Sequence, residues 1–277
     1  MRIGTNTMAL FAFRQMGIHQ NQMMTAMMRL SSGKRINSAK DDAAGLAISE
    51  RMRAQIRGLN QASRNAQDGI SLIQTAEGGL NESHAILQRM REITVQAGND
   101  TLTSNDRLKL QDEFDELIKG LNDIGKRTEF NTQSLLDGSF KDKKLQIGAN
   151  SGQFMEISIK DMTSDGLSLT NLSLTYLSLG SHEEAGKTLS VLDTAIESVS
   201  RERSRLGAME NRLGHTISNL DNQAFNLTNA ESRIRDADMA KEIMNMVKHN
   251  ILNQAAQMML AMSIRQPQSI LQLLNSQ

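Results

Sequence analysis

The sequence contains no cysteine and no tryptophan, and it has a single proline. The absence of cysteine excludes disulfides, thiolate zinc sites and thiol nucleophiles, and it leaves the cellular compartment open. Aromatic residues make up only 3% of the 277 residues, and the apolar share of 39% is below that of an ordinary globular protein. Asn, Gln and strong helix formers take their place, which favours long helices over a large compact core.

Charge and hydropathy exclude two further classes of protein. The 31 basic and 31 acidic residues balance, and no dense Lys/Arg block is present, so the phosphate-neutralising surface of a nucleic-acid binder is missing. Apolar runs are far shorter than the roughly 20 residues of a membrane-spanning helix, and we expect no membrane insertion. The apolar stretch at residues 8–13 is too short for a secretory signal peptide. Any export must therefore use a route without a cleaved signal.

No pattern in the sequence indicates catalysis. The five histidines are scattered and lack a second ligand at helical spacing, and we interpret them as surface or interface residues. Phosphate-binding loops, dinucleotide fingerprints, nucleophile elbows and calcium loops do not occur. The acidic group around Asp236 and Asp238 is typical of a solvated helix face. We predict no enzymatic activity, no catalytic residues, no metal site and no cofactor.

The clearest positive pattern is a heptad repeat between residues 189 and 234. Apolar residues recur there at alternating steps of three and four, as in a coiled coil. Only Arg203, Glu210 and Glu231 interrupt this seam. Ser181 and Glu184 have the spacing of a capping box at its start. We predict one long coiled-coil-like helix.

Two more helices are predicted in the N-terminal half, followed by a hairpin. A similar seam occupies about residues 43–97, and a third helix begins near Thr103. The first of these would be ~80 Å long, which exceeds the roughly 50 Å diameter of a compact chain of this length. Alternation at Leu145, Ile147 and Met155 predicts a β-hairpin at about residues 140–160. Residues 167–179 alternate too and could form short strands or an irregular wrap. The predicted fold is mainly α, an elongated bundle of long helices with a small β-hairpin region.

Both ends of the chain are apolar and rich in methionine. Thirteen of the eighteen methionines lie within the first 28 or the last 39 residues, at helical spacing and with little net charge. Such ends are explained most simply if they are buried against each other or against other copies of the chain.

Two long motifs at opposite ends resemble a known family. Residues 30–48 (LSSGKRINSAKDDAAGLAI) resemble the N-terminal signature of bacterial flagellins, and residues 231–240 (ESRIRDADMA) resemble their C-terminal signature. The resemblance covers about residues 1–160 and 181–277.

The resemblance implies a structural subunit that self-assembles into the extracellular flagellar filament for swimming motility, exported through the flagellar type III apparatus. Residues 1–36 with 238–277 would form the helical inner core of the filament. Residues 37–237 would form the outer shell. The variable surface domain of many flagellins is missing here, because only about residues 167–180 occupy its place. Implied partners are further copies of the chain, an export chaperone, and the filament cap and junction proteins.

The apolar ends then become the polymerisation elements. A lone pair of terminal helices buries only one face of each, so we expect the ends to fold on assembly. Methionine suits such a contact because its unbranched thioether repacks easily. Nine residues are chosen as polymerisation contacts: Leu10, Phe13, Met24, Met27, Ile251, Leu252, Met259, Leu271 and Leu274.

A second resemblance concerns residues 88–96 (QRMREITVQ), which are similar to the flagellin stretch bound by the flagellin-sensing Toll-like receptor. Carried across by position, the receptor contacts would be Arg89, Ile93 and the downstream Glu113. The alternative is that Ile93 is a seam residue and that the charged residues are solvated or make lattice contacts.

Three other functions remain open at this stage. A hook-to-filament junction protein is one alternative, because it too would have terminal helices that form a coiled coil. A monomeric coiled-coil interaction module or an amphipathic membrane binder belongs to a different class, and neither would sediment as a filament.

Overall fold

The computed structural model of the chain describes residues 6–169 and 179–275, with side chains up to residue 266. Five α-helices and two small antiparallel sheets make up this part of the chain. In chain order the elements are α1 (Thr7–Ser32), α2 (Ala43–Ala97), α3 (Ser104–Arg127), β1 (Glu129–Phe130), β2 (Gln133–Ser134), β3 (Lys143–Gln146), β4 (Phe154–Ile157), α4 (His182–Arg235) and α5 (Met239–Asn275). The mainly α fold with a small hairpin region is thereby confirmed.

The helix starts follow the capping signals in the sequence. At the start of α3 the Thr103 hydroxyl accepts the Asp106 N–H at 3.3 Å, and the Asp106 carboxylate accepts the Thr103 N–H at 3.2 Å. This reciprocal capping box satisfies two backbone donors that the helix itself cannot pair. Before α4, the Ser181 hydroxyl accepts the Glu184 N–H at 3.3 Å. Both starts lie where the sequence predicts them.

The predicted hairpin is formed by β3 and β4. Leu145 lies opposite Met155 in the antiparallel register. Met155 and Ile157 are buried whereas Phe154 and Glu156 are exposed, which is the period-two pattern of a strand with one face on a core. The smaller pair β1 and β2 was not predicted, because strands of two residues carry no periodicity. Its turn consists of Asn131 and Thr132, both with positive φ.

Residues 55–225 form one compact unit with a continuous hydrophobic core. Helices α2, α3 and α4 supply most of this core, and β4 and the loops around it supply the rest. The largest fully buried side chains within the unit include Ile73, Leu80, Leu87, Met90, Ile93, Phe114, Leu121, Leu135, Leu136, Ile159 and Met162. Helix α2 comes close to the hairpin turn at Gly58, where a β-carbon would lie 2.8 Å from the Ala149 side chain. Glycine at this position permits the contact.

Polar residues that interrupt the heptad seam of α4 find partners on α2. Arg203 lies 3.6 Å from Glu77, and Glu210 accepts a hydrogen bond from the Gln74 amide at 2.8 Å. Both pairs join facing helices within this unit. The polar positions of the seam thus face an opposite charge or a hydrogen-bond partner on α2, while the buried Nε of Arg203 has no hydrogen-bond partner among the described residues.

The second compact unit consists of Met1–Ala54 and Asn226–Gln277. It contains α1, α5, the first residues of α2 and the last residues of α4. The boundaries of this unit fall inside helices α2 and α4. The apolar periodicity of the sequence is not interrupted at either boundary. Of the stretch at 167–179, Leu167 and Leu169 are buried in a turn and Leu179 is buried before α4, and residues 170–178 lie outside the described part.

Candidate assembly surface and receptor-binding patch

Helices α1 and α5 pack against each other in antiparallel orientation. Near one end, the Asn6 amide donates to the Ser263 carbonyl at 2.6 Å. In the middle, the rings of His19 and His249 stack with their centroids 5.6 Å apart. Toward the other end, Arg29 lies 3.3 Å from Glu242. These three contacts fix the register of the pair along its length.

Small residues occupy the seam between the two helices. Ala12 and Ala26 of α1 and Ala256 of α5 are buried there. Alanine lets two helices approach closely, but it removes little apolar area from water. The large apolar side chains of both helices lie mostly outside this seam.

Up to residue 266, where the described side chains end, seventeen large apolar residues of α1 and α5 are exposed, with 42% to 68% of each accessible to solvent. Scattered single apolar residues are normal on a surface, but a patch of this extent marks an interaction site. The exposed residues are Met8, Leu10, Phe11, Phe13, Ile18, Met24, Met27, Met28, Met239, Ile243, Met244, Val247, Ile251, Met258, Met259, Met262 and Ile264.

Six of the nine predicted polymerisation contacts belong to this surface. They are Leu10, Phe13, Met24, Met27, Ile251 and Met259. Leu252 is half-buried and lines a groove of about 410 Å³ between the helices, together with Met8, Phe11, Ala256 and Met259. The side chains of Leu271 and Leu274 lie outside the described part of the chain.

The two family-like motifs meet in a joint at the base of this helix pair. The Arg35 N–H donates to the Arg235 carbonyl at 2.7 Å, and the Ala237 N–H donates to the Gly33 carbonyl at 3.0 Å. Lys34 and Asp236 form an antiparallel bridge between them. Gly33 ends α1 with φ +68°, a left-handed conformation that glycine adopts without strain. Segments from opposite ends of the sequence are thus joined backbone to backbone.

Charged side chains reinforce the joint. The buried guanidinium of Arg235 binds Glu50, while Arg53 lies 3.8 Å from both Glu50 and Glu231. Glu231, the third residue that interrupts the heptad seam, is therefore paired as well. These contacts connect the start of α2 to the end of α4 within the unit.

The turn that leads into α2 is organised by Asp41. Its carboxylate accepts the backbone N–H groups of Ser38 at 2.9 Å and Asn37 at 3.1 Å. These hydrogen bonds, that from Ser38 first, hold the pKa of Asp41 below its usual value, because they stabilise the charged form.

The candidate receptor residues separate into a surface pair and a core residue. Arg89 donates to one Glu113 oxygen from Nε at 3.0 Å and from Nη2 at 2.7 Å, and from Nη1 to Glu92 at 3.2 Å. The Glu113 carboxylate is the main cause of a raised pKa at Arg89. Ile93 is fully buried in the core, as expected of a seam residue. Arg89 and Glu113 are brought together on the surface, whereas Ile93 offers no side chain to a partner in this state.

Family models match both halves of the chain. The bacterial flagellin N-terminal helical region matches residues 3–141, and the bacterial flagellin C-terminal helical region matches residues 189–274. The chain belongs to the bacterial flagellin family. The matched regions contain the two motifs that meet in the joint.

Individual flagellins are similar over their whole length. A flagellin of Halalkalibacterium halodurans is 55% identical over 274 residues, covering 99% of this chain and all of that protein. A flagellin of Bacillus subtilis is 48% identical over 303 residues with the same coverage. Among solved structures, Bacillus cereus flagellin shares 34% identity with a TM-score of 0.50, over 61% of this chain and 94% of that chain. All three are flagellins, and the two sequence matches leave almost no part of this chain uncovered.

A more distant structure shares only the fold. A hook-associated protein from Vibrio parahaemolyticus is 13% identical with a TM-score of 0.57, over 71% of this chain and all of that chain. The alternatives of a junction protein, a monomeric module or a membrane binder are not favoured beside the high identity to flagellins. In the described part of the chain, no helix is apolar over a stretch that could cross a membrane.

Flagellins are structural proteins that polymerise into the extracellular filament. This chain is accordingly a structural subunit of a bacterial flagellar filament. The features that sequence reasoning missed are the stacked pair His19 and His249 and the joint between the two motifs. Both join residues that are far apart in the sequence, and neither motif gives a local signal of its partner.

Proposed function

We propose that α1 and α5 are the polymerisation elements of this flagellin and that their stable folding is completed by assembly. The observation that carries the proposal is the exposed apolar surface of the α1–α5 pair. The buried apolar residues described in this pair are alanines, and many of the larger apolar side chains are left for other contacts. A pair held by so little buried apolar area gains less than the conformational entropy of ordering both helices costs.

Copies of the same chain supply the missing partners. Leu10 and Phe13 on α1 and Ile251 and Met259 on α5 face solvent in the isolated chain, and they become buried when further helix pairs surround them. The groove beside Phe11 offers such side chains a place to insert. Residues 1–36 with 238–277 then form the inner core of the filament, and residues 37–237 form its outer shell.

Amide hydrogen exchange on monomer and filament tests this proposal. We expect amides of residues 7–32 and 239–275 to exchange rapidly in the monomer and slowly in the filament. Amides around Ile73 and Leu80, in the core of the other unit, are the internal control and should be protected in both. Protection of the terminal helices in the monomer, equal to that of the control amides, would refute assembly-coupled folding.

Export and partner proteins follow from the same proposal. Ends that stay unfolded suit passage through a narrow export channel, and a chaperone that covers their apolar residues would prevent premature polymerisation. The filament cap and the junction proteins would contact these ends at the two tips of the filament. We expect export without a cleaved signal. Mass spectrometry of the protein from sheared filaments should then find residues 2–6 still present, and their loss would contradict this route.

Binding by the flagellin-sensing Toll-like receptor is a second proposal, supported by the exposed Arg89 and Glu113 pair. Their side chains are about half exposed and preorganised by two hydrogen bonds, so the receptor meets a rigid charged patch. Ile93 contributes by packing in the core and holding the helix surface that carries Arg89. Its burial keeps it from direct contact unless that surface opens.

A receptor reporter assay with monomeric protein tests the patch. We expect Arg89→Ala to lower potency about tenfold or more, as for an interface residue of central importance. Arg91→Ala is the matched control, because Arg91 is a neighbouring exposed arginine that pairs with Asp193 on α4. Equal potency of Arg89→Ala and the parent protein would remove the receptor role.

A further inference from the structure

In the part of the chain that the structure describes, the exposed methionines all lie on the terminal helices. Among the described residues, nine methionines have 46% or more of their surface accessible to solvent, four on α1 and five on α5. Elsewhere in the described part, Met90, Met155 and Met162 are buried, and Met52 and Met209 are partly buried. Accessible thioethers are therefore concentrated on the surface that the proposed function assigns to polymerisation.

Accessible thioethers are sites of a specific reaction. A lone pair of the methionine sulfur attacks one oxygen of a hydroperoxide, the O–O bond breaks, and a sulfur–oxygen bond forms. The other oxygen leaves as water or an alcohol after it takes up the proton. The sulfur loses two electrons and the peroxide gains them. Susceptibility follows exposure, so the reaction is site-selective in a folded chain.

We propose that the exposed methionines of α1 and α5 are an oxidation site through which peroxides control assembly of the free subunit. This inference rests on the proposed role of the two helices in polymerisation. A sulfoxide is polar and needs a hydrogen-bond donor when it is buried. Met8 and Met259 line the apolar groove between the helices, where neighbouring copies would have to bury that oxygen. Oxidised subunits therefore lose the ability to join the filament.

The filament itself is protected by the same geometry. Once further copies cover the terminal helices, peroxide reaches these sulfur atoms only at the ends of the filament or after subunits dissociate. Oxidation thus acts on subunits before they assemble and spares those already in place. Reduction of the sulfoxides by methionine sulfoxide reductases reverses the block, because it restores the thioether without breaking the chain.

Peptide mapping by mass spectrometry tests the chemical part. The monomer is treated with hydrogen peroxide and the oxidised fraction of each methionine is followed with time. We expect Met8, Met28, Met258 and Met262 to oxidise about tenfold faster than Met90, Met155 and Met162, which are buried in the core of the other unit. In filaments the terminal methionines should become as slow as the buried ones. Equal rates at buried and terminal positions in the monomer would overturn the proposal.

Assembly assays test the consequence. Peroxide treatment of the monomer should raise the critical concentration for sedimentable filaments about tenfold. Reductase treatment should return the critical concentration to that of the untreated monomer. For a variant with Leu in place of all nine exposed methionines of α1 and α5, peroxide treatment should leave the protein concentration needed for filaments unchanged, whatever its value before treatment. The control Met52→Leu with Met209→Leu, both outside the terminal helices, should remain as sensitive as the parent.

The outcomes of these assays separate the oxidation proposal from the assembly proposal. If fully oxidised wild-type monomer assembles as well as untreated monomer, the oxidation proposal is overturned and the assembly proposal is unaffected. If the nine-leucine variant does not assemble before treatment, the reductase rescue of the wild-type protein decides, and a failed rescue overturns the proposal. Failure of untreated wild-type protein to form filaments through α1 and α5 would overturn the proposed function as well, whatever the peptide map shows.

Discussion

Two phenylalanines of similar size are expected to respond in opposite ways to truncation. Phe114 of α3 is fully buried in the core, whereas Phe13 of α1 is 60% exposed. Phe114→Ala leaves a cavity, which costs about 3–5 kcal/mol of the free energy of unfolding of the monomer. For a unit of this size, that corresponds to a fall in Tm of roughly 6–20 °C. Phe13→Ala removes no core contact and should change monomer stability by about 0.5 kcal/mol or less.

In the filament the order is reversed. Burying the exposed part of Phe13 contributes about 1–2 kcal/mol per subunit, taken as the exposed share of full burial. Its loss should raise the critical concentration for polymerisation about 5- to 30-fold. Thermal unfolding followed by circular dichroism gives the monomer stability, and sedimentation over a range of protein concentrations gives the critical concentration.

The result that refutes this reasoning is specific. If Phe13→Ala lowers the monomer Tm as much as Phe114→Ala, then α1 contributes to a folded core in the free subunit. If Phe13→Ala leaves the critical concentration unchanged, the exposed side chain is not a polymerisation contact. Leu108→Ala is a useful control, because Leu108 is 63% exposed but lies on α3, outside the terminal helices.

Three further predictions concern local geometry. Gly58→Ala places a β-carbon against the hairpin turn and should destabilise the monomer by about 1–3 kcal/mol in urea unfolding, whereas Gly78→Ala on the same helix meets no atom within 4 Å and should be neutral or stabilising. Gly33→Ala places a residue with a side chain in the left-handed region and should lower the free energy of unfolding by about 1–2 kcal/mol, whereas Gly33→Asn should lower it less. Equal free energies of unfolding for the parent protein and both variants would show that the left-handed backbone is not strained by a side chain. The lowered pKa of Asp41 contributes stability that is present above its unfolded pKa of 3.8 and is lost as the pH falls through the still lower folded pKa. Asp41→Asn should remove this acid dependence from the exchange rates of the Asn37 and Ser38 amides, and an unchanged pH profile would show that the hydrogen bonds do not act on the carboxylate.

Helices were the most predictable part of the fold. The interval of about 43–97 for α2 matches the structure, because a 55-residue helix repeats its periodicity many times. The helix start near Thr103 and the hairpin around Leu145 and Met155 were predictable for a similar reason, since each depends on residues close together in the sequence. The pair β1 and β2 was not predictable, because two residues cannot show a period.

The candidate sites show where local reasoning ends. The exposure of Leu10, Phe13 and Met259 was predictable, because the apolar residues of each terminal helix extend over more of its surface than a single partner helix can bury. The stacking of His19 on His249 and the pairing of Arg235 with Glu50 depend on the register of segments that are far apart in the sequence. The burial of Ile93 was predictable from its position in the heptad seam. The resemblance to the receptor-bound stretch, by contrast, assigned both Ile93 and Arg89 as receptor contacts.

The joint between residues 33–35 and 235–237 has a consequence for how a subunit is completed. Its hydrogen bonds connect backbone atoms about 200 residues apart, so forming it closes a long loop of the chain. A chain that stops before Arg235 has no backbone partner for Gly33 and Arg35, whatever the quality of the rest of its fold. The joint can therefore form only after the whole of α4 has been made, and its two hydrogen bonds report that the chain has been completed as far as the end of that helix.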